Sequence, residues 1–279
     1  MVGVTMPLVE RAEAQARGYG SAYLLRPPLR LLTGVVGAYS DTAQMMDAGA
    51  GDEMRRLHRA QGQLAGLIAL LFAEAERPKQ VTSWLMAAER EADAAGDAEL
   101  GCWVTALLAQ AACGRREYER ALLIAGEAID VAAGSVGGVL AEAVRTVAWA
   151  ERGQSSEALA SLRRTDEAYE RLGKDRTGPS MLGYPAGSRH QHRADAHAAL
   201  RMAVLSRHAL VAALDAYPDG ALRARAEVEI GLARCDLYEY GYQVARRRVE
   251  VALAALPDEY HTARLGRLAR ELPDWVGYW

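Results

Sequence analysis

The sequence predicts an all-α superhelix of antiparallel helix pairs, and three observations carry that prediction. The composition is rich in Ala and Leu and holds a single Phe, which favours helices meeting closely through small side chains over a sheet of aromatic and β-branched residues. Apolar residues recur with helical periodicity in segments of about 15–20 residues, closed by short Gly, Pro or polar turns, the loop spacing of antiparallel neighbours. The pattern then repeats. A residue early in the second helix of each hairpin, where two helices cross, returns as Val81, Ala121, Ala158, Ala209 and Ala245, at separations of 40, 37, 51 and 36 residues.

Taken in order, the first 30 residues are weakly periodic and are cut by Pro27-Pro28, where the missing amide and the restricted preceding residue prevent a continuous helix. Leu29 to Met46 forms a helix ended by Gly49 and Gly51, so that residues 1–53 read as an N-terminal helical extension. Met54–Ala75 pairs with Gln80–Ala95 across the Glu76-Arg77-Pro78-Lys79 turn; Ala98–Cys113 pairs with Glu117–Ala132 across Gly114. A helix from Gly137/Gly138 to Glu151 pairs with Glu157–Leu172 across Gly153-Gln154. Arg189–Leu205 then pairs with His208–Tyr217, and Ala221–Leu237 with Gly241–Leu256. Tyr260–Leu272 reads as a terminal cap, needed because the last repeat of a solenoid has no successor to cover it. The repeat array spans 54–272, and 273–279 is a tail carrying Trp275 and Trp279, which are expected to pack on the final helices.

The interval of 51 residues stands apart, and its excess falls in Lys174–Ser188, which holds three Gly and two Pro and lacks helical periodicity. An irregular segment of that length inside a compact array is expected to be ordered and to serve binding.

Composition limits the function classes. With 33 basic and 36 acidic residues the net charge is -3, which supplies no general attraction to nucleic acid or anionic lipid. Cys102, Cys113 and Cys235 are odd in number and form no CxxC pair, so they read as buried thiols of a reducing compartment. No apolar run approaches the ~18 residues of a membrane span and no signal-peptide order is seen at the N-terminus, so a cytoplasmic protein is expected.

Gly114, Tyr118 and Ala121 follow the turn, aromatic and small-residue order of a tetratricopeptide unit, and Gly153 and Ala158 repeat it without the aromatic. On these residues and the hairpin spacing, the chain resembles the tetratricopeptide-repeat family over roughly residues 54–272. The segments Leu64-Ala-Gly-Leu67, Ala92–Asp97, Glu157–Tyr169 and Tyr217-Pro-Asp-Gly220 are similar to the repeat portion of actinobacterial helix-turn-helix regulators. The resemblance implies a right-handed superhelix whose concave face is lined by the first helix of each pair. It also implies a receiver of signals or partners. Residues 1–50 are too short for the DNA-binding domain of those regulators, so DNA binding is not carried over.

Projecting the repeat phase implied by the resemblance makes Gln63, Trp103, Gln110, Arg201, Glu227 and Arg234 groove-facing ligand candidates, joined by Tyr184 of the irregular segment. Around Arg189-His-Gln-His-Arg193, His190 and His192 lie about 200 degrees apart on a helix, whereas His190 and His197 share a face. Neither spacing is a metal motif, and no metal or cofactor is expected. His190, His192, His197 and Asp195 form the candidate acid–base set if the scaffold is an enzyme. Asp166 and Glu170, four apart beside Arg163 and Arg164, read as a charged outer face. Arg246-Arg247-Arg248 is diluted by Glu250, Tyr238, Tyr240 and Tyr242 read as an inter-helix corner, and Met45, Met46 and Trp84 read as core.

The leading expectation is recognition of a peptide, a protein or a small signal molecule through the concave surface and the 174–193 region. A small-molecule biosynthetic enzyme using the same region and a structural assembly adaptor are the alternatives. The scaffold is compatible with a homo-oligomer.

Overall fold

A computed structural model describes residues 6–46, 51–180 and 182–272. Apolar periodicity, abundant Ala and well-placed turns produce thirteen α-helices, one 3-10 turn and no strand among the described residues. Two helices, α1 (Met6–Ala22) and α2 (Pro28–Met46), precede five antiparallel pairs. These are α3 (Gly51–Glu74) with α4 (Pro78–Ala95), α5 (Ala98–Gly114) with α6 (Tyr118–Ala132), and α7 (Val136–Glu151) with α8 (Ser155–Arg171). There follow α9 (Ala186–Ala199) with α10 (Ala203–Ala216) and α11 (Leu222–Tyr240) with α12 (Tyr242–Ala254). The 3-10 turn Asp258–Tyr260 leads to α13 (Ala263–Arg270). The first helices of successive pairs, α3, α5, α7 and α9, pack side by side, which winds the array as a superhelix. Among the described residues no helix is long and apolar enough to cross a membrane.

One backbone device recurs in every pair. The turn from first to second helix contains a single left-handed residue, successively Glu76, Arg116, Gly153, Arg201 and Gly241. Only two of the five are glycines, so the residue type that usually marks this conformation is absent from three of the turns. This explains a helix break that the sequence misses. The expected helix Arg189–Leu205 is two helices, because Arg201 (φ 61) reverses the chain between Ala199 and Ala203 with no Gly or Pro nearby.

The break also corrects the repeat register. Each second helix has its buried crossing residue four positions after its N-cap: Val81 after Arg77, Ala121 after Glu117, Ala158 after Gln154, Ala245 after Gly241. After Met202 that residue is Ser206, not Ala209. Ser206 is 2% exposed and its hydroxyl donates to the Ala194 carbonyl at 3.0 Å, which satisfies the polar group that the register brings into the crossing.

The array closes on itself. Val9, Ala12 and Ala16 of α1 share one core with Leu57, Leu64 and Ile68 of α3 and with Leu210, Ala213, Val228 and Leu232 of α10 and α11. Burying such a Leu, Ile or Val contributes about 1.5–3 kcal/mol each, so the two ends of the array are joined by a hydrophobic seam. The C-terminal segment crosses the seam: the Tyr260 hydroxyl donates to the Leu25 carbonyl at 2.9 Å, Arg30 meets Glu259 at 2.6 Å, and Arg267 of α13 pairs with Glu76 at the end of α3. The helix expected as an end cap over Tyr260–Leu272 is thus shorter, and it bridges to the beginning of the array. The tail with Trp275 and Trp279 lies outside the described residues.

Candidate functional site

Closure leaves a lumen of about 490 Å³ inside the ring. Its two arcs differ because the helices that form them differ in sequence. From α3, α4 and α5 come Ala69, Leu70, Ala73, Val81, Leu85, Leu107 and Ala111, an apolar wall. From α9, α11 and α13 come His192, Asp195, Arg223, Glu227 and Arg264, a charged wall, with Tyr217 between α10 and α11.

The charged wall is organised around Glu74, which is 1% exposed. Its Oε1 accepts from Arg223 at 2.6 Å and from the Tyr23 hydroxyl at 3.2 Å, and its Oε2 accepts from the Thr262 hydroxyl at 3.3 Å. Arg223 also reaches Glu227 at 3.2 Å, while Arg264 stands 3.6 Å from Glu74 and 3.5 Å from Glu227. Two guanidinium groups and two carboxylates therefore neutralise one another at the seam. This is the condition under which buried charge is tolerated.

On α9, Ser188, Gln191, His192 and Asp195 turn toward the lumen. His192 Nδ1 lies 2.9 Å from the Ser188 carbonyl, and because a carbonyl only accepts, Nδ1 carries the proton. The Tyr184 hydroxyl stands 3.0 Å from the same nitrogen, and its ring stacks on the imidazole with centroids 5.8 Å apart. Nε2 is left as the acceptor. Burial, with Arg264 nearby, pulls the His192 pKa down to about 4, so the ring is neutral at physiological pH.

Asp195 is one turn further along. It is exposed, yet the space it meets is the lumen, and desolvation there raises its pKa to about 6 against the opposing influence of Arg234 and Arg264. With a folded pKa above the usual 3.8, the folded protein binds the proton more tightly than the unfolded chain, so stability falls as pH rises from about 4 to about 6 and is level above. Asp195→Asn is accordingly expected to raise Tm by on the order of 2 °C near pH 8 and to leave it unchanged near pH 4, as read by scanning calorimetry.

The sequence candidates divide. Gln110 and Glu227 line the lumen, as do His192 and Asp195. Arg234 is close enough to Asp195 to favour its ionised form. Gln63 is half-buried on α3 and does not line the lumen. Arg201 is exposed in the left-handed turn after α9. Trp103 is core, 6% exposed, with its ring over Gly66, where a Cβ would lie 2.3 Å from it, and its backbone against Gly137. Tyr184 stands behind His192 and touches no lumen space. His190 and His197 do share a face, but it is the face toward Asp166 and Arg193, away from the lumen; burial lowers the pKa of both. Among the described residues no group of His, Cys, Asp and Glu is arranged to hold a metal ion.

The irregular segment is not positioned over the lumen mouth. Arg176 pairs with Glu99 in the first turn of α5 at 3.1 Å, and a Cβ on Gly20 of α1 would strike Leu182. The lumen is instead lined by the last turns of α5, from Leu107 to Arg115, about 12 Å or more along the helix. Its last residues, Ala186–Ser188, already belong to α9, and Met181 lies outside the described residues.

Other charged runs are structural. Asp166 and Glu170 take Arg189 at 3.0 and 2.9 Å, with Arg193 also on Asp166, rather than Arg163 and Arg164; Arg164 goes to Glu142 at 2.9 Å. Arg246 pairs with Glu250 at 2.7 Å and Arg248 with Asp236 and Glu229 at 2.5 and 2.8 Å. Tyr238, Tyr240 and Tyr242 are exposed, not a buried corner, since they sit at and beyond the end of α11 where no further pair covers them. Trp84 packs edge-on against Tyr39 at 5.0 Å, as expected of core.

Glu74, Arg223 and Arg264 were not legible as site residues, because Glu74 and Arg223 are 149 positions apart and join only when the ring closes. No family model matches the chain, and no curated protein matches it. Among solved structures the chain is similar to the crystal structure of BtubC (BKLC) from P. vanneervenii, at 12% sequence identity over 89% of this chain and 93% of that one, with a TM-score of 0.52. At that identity the likeness concerns the fold alone.

Proposed function

We propose that this protein is a recognition module whose ligand is a small molecule held inside the ring, rather than a peptide or protein laid along an open groove. The carrying observation is the lumen. Its volume of about 490 Å³ lies in the range of small-molecule sites, and the ends of the array that would bound an open groove are joined by the core that α1 and α3 share with α10 and α11 and by α13. An apolar wall facing a wall of fixed charges suits an amphipathic molecule, whose body replaces water on α3–α5 while its polar end is oriented by α9 and α11. A signal-receiving role agrees with the resemblance to regulator repeat modules.

Ala111→Trp tests this reading. Ala111 is half-buried on the apolar wall, so an indole there grows into the lumen instead of into packed core. In a thermal-shift screen of small amphipathic compounds, the native chain is expected to gain about 2.7 kcal/mol at a ligand concentration of 100 Kd. The Trp variant, melting normally, is expected to bind at least about tenfold more weakly, the equivalent of ~1.4 kcal/mol. Equal affinity in both proteins would place the ligand elsewhere.

A further inference from the structure

The polar groups of the lumen are not equally engaged. Arg223 and Arg264 are matched to Glu74 and Glu227, Arg267 to Glu76 and Glu271, and Arg115 to Glu117 at 2.7 Å. The Tyr217 hydroxyl donates to Gln191 Oε1, and the Ser188 hydroxyl is 3.2 Å from Tyr217. Arg77 is exposed at the mouth. Besides the side-chain amides of Gln110 and Gln191, two acceptors stand on the lumen side of α9, one helical turn apart: His192, through Nε2, and the Asp195 carboxylate. No hydrogen bond from the described residues supports the ionised form of Asp195.

Charges of both signs surround Asp195. Arg234 of α11 and Arg264 of α13 favour its ionised form, while Glu151 at the end of α7 and Glu227 of α11 oppose it. The Cys113 thiol of α5, pushed up to about 12 by burial and by Glu151 and Asp195, is neutral, as is His192. What these two acceptors lack is a donor, and a cationic one suits them best: a carboxylate out of bulk water is stabilised most by a charged N–H partner. An anionic ligand would meet Asp195 and Glu227, while Arg223 and Arg264 beside them are already paired with Glu74 and Glu227.

Resting on the lumen as the ligand site, we infer that the ligand is an apolar body carrying a primary ammonium group, which donates one N–H to the Asp195 carboxylate and another to His192 Nε2. The i, i+3 placement of the two acceptors on one helix face suits the divergent hydrogens of a single ammonium. The apolar wall of α3, α4 and α5 receives the body.

The test uses three probes with a common body and different heads: 2-phenylethylamine, 2-phenylethanol and 3-phenylpropanoate, titrated calorimetrically into the full chain. The amine is expected to bind at least about tenfold tighter than the alcohol and the acid near pH 8. Asp195→Asn, checked for folding by its melting curve, is expected to bring amine affinity down to that of the alcohol while leaving the alcohol unchanged. Amine affinity in the native chain is expected to fall about tenfold per pH unit below the Asp195 titration, with no such fall in the Asn variant. Alcohol binding as tight as amine binding, or an Asn variant that keeps amine preference, would overturn the ammonium assignment and leave the lumen reading standing. So would a non-amine compound that saturates the native chain, and fails with Ala111→Trp, when none of the three probes binds. Failure of every compound would sink both readings.

Discussion

Glu74→Ala is expected to lower the free energy of unfolding by about 3–5 kcal/mol, the largest effect of any single charge removal in this protein. Three parts of the ring converge on this side chain. Tyr23 comes from the segment after α1, Arg223 from α11 and Thr262 from the start of α13, and each donates to it. Arg223 is 4% exposed, so losing Glu74 leaves a guanidinium in the seam with only Glu227 at 3.2 Å to balance it. The cost is the uncompensated charge, not the lost contact. The double variant Glu74→Met, Arg223→Met should therefore be more stable than Glu74→Ala alone, because it removes the charge together with its partner. Urea unfolding followed by circular dichroism measures both, and a loss below about 1 kcal/mol for the single variant would place the closure energy in the apolar seam instead. Limited proteolysis adds a local readout: once Glu74 is gone, the segment 258–272 should be cut earlier than the paired helices.

Trp103→Ala is the second large effect, and it separates core from site. The indole lies over one glycine, Gly66, and the Trp103 backbone over another, Gly137, each on a neighbouring helix. A Cβ at Gly66 of α3 would lie 2.3 Å from the ring, and one at Gly137 of α7 would lie 2.4 Å from the Trp103 backbone nitrogen. Helices α3, α5 and α7 come together there only because both neighbours lack side chains. Truncating the ring leaves a void that these helices cannot collapse into without shifting the inner layer, and a loss of about 3–5 kcal/mol is expected. The folded fraction should bind lumen ligands with unchanged affinity, since Trp103 does not line that space. A change in affinity with unchanged stability would return Trp103 to the ligand site, where the repeat phase had put it.

The contrast between Gln110 and Trp103 shows why phase alone was insufficient. Both are on α5, seven positions apart, and fall on nearly the same stripe of an ideal helix. Gln110 is near the end of α5 that opens on the lumen, whereas Trp103 is at the level where α3, α5 and α7 are in contact. Helical phase specifies a face. Depth along the superhelix is decided by which helices close over that face, and this depends on residues far away in the chain. Arg201 lies off the lumen for another reason: its left-handed backbone is imposed by the fold on a residue that gives no local sign of it. His192 and Asp195 were visible as chemistry, but their separation from His190 and His197 required the tautomer and the lumen.

By itself the sequence determined the paired-helix architecture, the number and order of the five hairpins and the irregular stretch before α9, because these depend on periodicity, small residues and turn chemistry within about 40 residues. Tertiary structure alone decided that the array closes and that a lumen results. It also decided that Glu74, Arg223 and Arg264 hold the seam. These outcomes depend on apolar faces and polar groups brought together across as many as 235 positions, as with Tyr260 and Leu25. Sequence spacing carries no information on such pairs until packing of the intervening helices has set the angle at which the two ends meet.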